Sequence, residues 1–272
     1  MTDTVALDPN RHVPGLTRPG FRQTLHAEWI KFWTVRSTAW SVVAMLVLGA
    51  GLTTLICATN AEWLASSGAD ESPGSFITFG MTFAQITAIV LGTLAVTTEY
   101  GTGMIRATLA ATPRRGQVLA AKAVVLVGTL FVAGTVTAFA GYLGGNFFLD
   151  REGIGLALSD DGVLRSMVGS GLYMAGLGLF AAAVGLLVRH TAAALSIVLA
   201  LVFVVGTMVV LLPGAWGEWA SKLMPGNAGA GVATPVSFNP YLFDPWVGFA
   251  VFCGEVAAVL LVGHLVFRRR DA

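Results

Sequence analysis

The sequence predicts an all-α integral membrane protein of six transmembrane helices, with an amphipathic interfacial helix before the first and a short cytoplasmic helix after the second. Three observations carry this. Charged residues make up 11% of the 272-residue chain and hydrophobic ones 55%, at a mean hydropathy of +0.75; a soluble domain uses about 25% charged residues to cover its surface. Uncharged runs long enough to cross a bilayer, about 20 residues at roughly 1.5 Å each, recur at 37–61, 74–98, 123–149, 166–188 and 191–217, and a sixth at 246–267 is broken only by Glu255. With the N-terminus in the cytoplasm, thirteen of the sixteen Lys and Arg residues fall on the inner side, leaving Arg151, Arg165 and Lys222 outside. That asymmetry is the one that orients membrane proteins, and it puts both termini in the cytoplasm.

Taken in order, residues 1–20 carry Pro9, Pro14 and Pro19 and few apolar side chains, the composition of a disordered cytoplasmic tail. From Phe21 the pattern changes. Phe21, Leu25, Trp29 and Trp33 recur every four residues, while Arg22, Gln23, Glu28 and Lys31 fall elsewhere around the wheel. An aromatic face of this kind suits a helix lying in the inner interface; packing on a soluble partner is the alternative. Glu28 and Lys31 stand one turn apart and can form an exposed pair of about 0.3–0.5 kcal/mol.

One domain, 21–270, then holds spans expected at about 39–60, 75–98, 120–145, 166–188, 191–212 and 246–267. Acidic outer loops at 60–74 and 150–165 and a tight inner turn at Arg189 and His190 connect them. The longest outer segment, 213–245, is rich in Pro, Gly and aromatics. Trp216, Trp219, Tyr241 and Trp246 suit the headgroup layer, and the segment reads equally as an aromatic-belted loop or as partly re-entrant. Cys57 and Cys253 read as small buried hydrophobes. In the fourth span, Gly171 with Ala175 and Gly178 with Ala182 make small-residue faces for close helix contact, used within the subunit rather than between subunits.

Polar residues inside spans are few. Thr78, Thr82 and Gln85 form a weakly polar side of the second span, with the threonines expected to bond their own backbone. Glu255 lies near the middle of the sixth, where a charge costs roughly a few kcal/mol, so it is expected to be neutral, paired or facing a path. No Gly-Lys dipeptide exists for a phosphate-binding loop, and the four histidines are too scattered for a metal site. A self-contained ATPase or hydrolase is thereby disfavoured.

The loop 97–117 interrupts this apolar chain with an acid, glycines, a proline and arginines. Glu99 stands where the second span leaves the membrane, "GTG" at 101–103 can redirect the chain, and "MIRATLAAT" allows about two helical turns before Pro113. Arg114, Arg115 and Lys122 then mark the inner surface. By spacing alone the loop is as well read as a basic topology marker.

"EYGTGMIRATLAATPRRGQVLAAK", Glu99 to Lys122, resembles the first cytoplasmic loop of ABC type-2 permeases, and "AEWIKFWTVRSTAW", 27–40, is similar to the Glu-x-x-Lys-x-x-x-x-Arg start of the same family. The resemblance covers about residues 21–270. It implies the permease subunit of an ATP-driven exporter in the cell membrane, paired with a second permease subunit and surrounded by membrane lipid. A separate ATPase chain would hold ATP and Mg, with no cofactor on this chain and no nucleic-acid partner. It further implies an ATPase-coupling element of Glu99, Tyr100, Gly101, Thr102, Arg106, Thr108, Leu109, Pro113, Arg114 and Arg115. A non-transporting scaffold or sensor is the rival reading and would need no docking loop; a secondary transporter would show repeated halves and broken spans.

Overall fold

The computed structural model describes residues 20–111, 114–239 and 241–270. The expected N-terminal tail, Pro113, and the side chains of Arg106, Leu109 and Arg268–Arg270 lie outside the described residues. All regular structure among the described residues is helical. The segment before the first span forms α1 (Phe21–Thr34). Among the described residues six helices are long and apolar enough to cross a membrane: α2 (Arg36–Ala65), α3 (Pro73–Gly101), α5 (Arg115–Arg151), α6 (Val163–Val188), α7 (Thr191–Leu211) and α10, which runs Pro245–Arg270. Between them lie α4 (Met104–Ala111), α8 (Gly214–Lys222) and α9 (Pro225–Ala230).

The bundle is built around α6, the most buried of the six, which packs on α3, α5, α7 and α10. Its small residues make this possible. A Cβ at Gly92 of α3 would lie 2.0 Å from the Gly178 carbonyl of α6, and one at Gly171 would lie 2.5 Å from the Phe131 carbonyl of α5. Backbones touch where side chains would stand, so the small-residue faces serve packing within the chain, as expected.

Two spans depart from plain α-helix. Val47–Gly51 of α2 and Ala200–Val205 of α7 are π-helical. The first coincides with a crowded crossing: a Cβ at Gly49 would lie 2.3 Å from Thr137 Cγ2, and the Gly80 N–H donates to Thr53 Oγ1 at 3.0 Å. α7 ends at Leu211, short of the uncharged run to 217, because Pro213 cannot continue it and the chain restarts as α8.

The segment 213–245 folds back onto the bundle rather than forming a loose loop. Pro225, Gly226, Ala228, Gly229 and the turn Gly231–Ala233 are buried, and a Cβ at Gly169 of α6 would lie 2.0 Å from the Val232 carbonyl. Arg165 donates to the Gly231 and Thr234 carbonyls at 3.2 and 3.3 Å, closing the segment over the end of α6. Trp216, Trp219 and Trp246 remain exposed on its outside. Cys57 is buried as expected, but Cys253 is exposed on the outward side of α10, the least buried span.

α1 reverses the arrangement of a soluble amphipathic helix. Its buried residues are Thr24 and Glu28, while Phe21, Trp29 and Trp33 are exposed. Thr24 and Glu28 turn inward onto α5, where Gln117 Nε2 donates to Thr24 Oγ1 at 2.7 Å.

Candidate functional site

At the end of the bundle where α1, α3 and α5 meet, four charged side chains close a ring. Lys31 Nζ lies 2.8 Å from Glu28 Oε1 and 2.5 Å from Glu99 Oε1. Lys122 Nζ lies 2.7 Å from Glu28 Oε2 and 2.8 Å from Glu99 Oε1. Glu28, Glu99 and Lys122 are buried, and Lys31 forms the half-exposed rim. The Glu28 to Lys31 pair therefore exists, but it is a buried part of a four-member network and not the exposed pair expected. Lys122 likewise does not mark a surface: it points into the protein and spends its charge on two carboxylates.

Such a ring holds only while all its members stay together. Two charges of each sign cancel, and withdrawing α3 or α5 would strand an uncompensated buried charge, which costs several kcal/mol, whereas α1 carries Glu28 and Lys31 together and would leave Glu99 paired with Lys122. The ring thus ties the end of α3 to the start of α5, and α1 closes it. Burial alone would lower the Lys31 pKa, but hydrogen bonds and charge from Glu28 and Glu99 outweigh it and raise the value above 10.5. A raised lysine pKa contributes stability that is complete below the unfolded value and lost only as pH rises through the folded one. For Lys31 that window lies in strong alkali, so near neutral pH its charge is constant.

Beside the ring lies a cavity of about 220 Å³. The four charges form one side of it, and Phe32, Val35, Leu91, Leu94 and Met104 supply apolar wall.

Below the ring runs the loop. α3 ends with the Thr102 N–H bonded to the Thr98 carbonyl at 3.0 Å, and Gly103 turns the chain at φ +71°, a conformation glycine adopts freely. α4 follows, with Met104 and Ala107 exposed and Thr108 half-buried, and exposed Arg114 precedes α5. Of the residues predicted for coupling, Glu99 is committed to the ring. The Tyr100 ring lies 5.0 Å beneath the Arg189 guanidinium, on the tight α6–α7 turn where Arg189 itself has φ +58°. Gly101 and Thr102 are exposed at the helix end and Arg115 opens α5. The loop is thereby linked to α1 and α5 through Glu99, and to α6 and α7 through Tyr100.

A second polar contact lies in the interior. Gln85 Oε1 accepts from the Tyr173 hydroxyl at 2.7 Å, with both residues buried and Tyr173 packed on Phe252. Threonine-to-backbone bonds occur in α3 at Thr87, Thr97 and Thr98. They are not seen at Thr78, whose buried hydroxyl has no partner among the described residues. Glu255 is half-buried, and its Oε2 also lacks a partner among the described residues. The sequence reading missed Tyr173 and the ring. The available signal for the ring was parity: two acids and two lysines, Glu28 and Lys31 before the first span, Glu99 at the end of the second and Lys122 at the start of the third.

No family model and no curated protein matches the chain.

Proposed function

We propose that this chain is the permease subunit of an ATP-driven exporter of the ABC type-2 kind, in the cell membrane with both termini cytoplasmic. A separate ATPase chain would dock on the loop around α4, and two permease subunits would enclose the path. The observation that carries the reading is the attachment of a short, partly exposed helix to a buried ionic ring. A docking element must present surface to a soluble partner and also pass displacement to the spans. α4 is short and exposes Met104 and Ala107, and Glu99, a few residues before it, is bonded to lysines on two other helices. α1 would lie in the inner interface, its exposed tryptophans toward lipid and its polar face toward α5.

The test is affinity purification of this chain from its native membranes. The expected result is a co-purifying soluble ATPase carrying a Gly-Lys-Ser/Thr phosphate loop, whose hydrolysis rate changes when the two are reconstituted together. A chain that purifies alone from gently solubilised membranes, with no effect on any such ATPase, would favour a scaffold or sensor.

Glu255 is assigned to the path. Glu255→Gln keeps the shape and hydrogen-bonding capacity of a protonated acid, so membrane levels are expected to stay within about twofold of normal. Export is expected to fall about tenfold or more, the change produced by 1.4 kcal/mol or more at a rate-determining barrier. Unchanged export would make Glu255 a packing residue.

A further inference from the structure

We infer that the groove between α1 and the outer face of α5 binds an anionic phospholipid, its headgroup at Arg22 and His26 and the upper part of one acyl chain along α5. The groove is open to the outside and offers about 1070 Å³. One wall is α5, where Val124 is 52% exposed and a Cβ at Gly128 would meet nothing within 4 Å. The missing side chain leaves a trough in the wall. The other wall is α1, through Leu25 and Trp29. Water is a poor filling for apolar walls, and Trp29 is the side chain type favoured at the headgroup level.

The polar end of the groove selects charge. Arg22, Gln23 and His26 line it, and no carboxylate does among the described residues. The one acid of α1, Glu28, faces the opposite way into the ring. Arg22 makes no ion pair among the described residues and stands in the first turn of α1, where the helix dipole favours acids, so helix stability does not explain it. The guanidinium carries a fixed charge with several donors, and the exposed His26 imidazole supplies another N–H. In the cavity beside the ring two cations meet two anions; here the Arg22 guanidinium stands without a carboxylate among the described residues that line the groove. A phosphate joined to a hydrocarbon chain matches both ends, and basic side chains at the cytoplasmic edge are the recognised means of holding anionic lipid. The inference requires that the chain span a membrane with α1 at its edge, and does not depend on an ATPase partner.

The experiment is native mass spectrometry of the full chain taken from vesicles of equal parts phosphatidylglycerol and phosphatidylcholine. The wild type is expected to retain phosphatidylglycerol preferentially. Arg22→Gln should reduce that preference about fivefold, the loss expected for one cation near an anionic surface, and Arg22→Lys should keep most of it. Gly128→Leu fills the trough and favours helix, so the chain should fold normally but retain less of either lipid. Equal retention of the two lipids by wild type would overturn the inference, as would an unchanged preference in Arg22→Gln together with unchanged retention in Gly128→Leu. Loss of bound phosphatidylglycerol on adding inorganic phosphate alone would reassign the rim to a free anion and also overturn it.

Discussion

Replacing Lys122 by Met is expected to cost the folded chain about 3–5 kcal/mol, the range for removing one partner of a buried ion pair. Lys122 bridges Glu28 and Glu99 at 2.7 and 2.8 Å, and its side chain is 10% exposed. Methionine fills similar space without charge, so packing changes little and the cost falls on two carboxylates sharing one remaining ammonium. Lys31→Met should cost less, because its side chain is 28% exposed and water can replace part of what it supplies. The double variant Lys122→Met with Glu99→Gln removes one charge of each sign and should recover most of the loss, since buried pairs exchanged for neutral groups are often near neutral overall. Thermal unfolding of the purified variants in one detergent checks the order: Lys122→Met least stable, Lys31→Met intermediate, the double variant close to wild type. Equal stability of Lys122→Met and wild type would mean that the ring is not closed in the membrane.

The ring also explains what was legible in the sequence and what was not. Span number and approximate limits follow from hydropathy, because lipid forces each crossing helix to satisfy its own backbone and expose apolar side chains. Helix ends were less legible. α5 begins at Arg115, because the charged residues Arg115 and Lys122 that ended the apolar run continue as helix inside the protein. The inward face of α1 was hidden for a related reason. Periodicity picks out the aromatic positions, but Phe21, Trp29 and Trp33 are exposed, and Thr24 and Glu28 make the contact with α5. The Gln85 to Tyr173 bond joins residues 88 apart in sequence, and no local pattern encodes such a pairing. The folded-back segment 225–233 was undecided for lack of a periodic signal, since glycine, alanine and proline pack by closeness rather than by a hydrophobic face.

If α4 docks a separate ATPase, Ala107→Asp with Thr108→Asp should uncouple the protein without unfolding it. Both residues sit on a helix outside the six spans, Ala107 exposed and Thr108 half-buried, so the bundle and the ionic ring are left as they are. In a docked complex the two new carboxylates would be buried without partners. Each unpaired polar group costs about 1–3 kcal/mol by mutational measures, and more when charged. Association should therefore weaken by about a hundredfold or more, on about 1.4 kcal/mol per tenfold. The measurements are membrane level of the subunit, ATPase recovered with it, and ATP-dependent export. The docking reading expects the first near normal and the other two lost. It also separates this variant from Lys122→Met, which should lower the membrane level itself, because one disrupts a contact made after folding and the other a contact the fold requires. Normal ATPase recovery and export in the double Asp variant would leave the loop only a role in fixing topology, and the exporter reading would lose its main support.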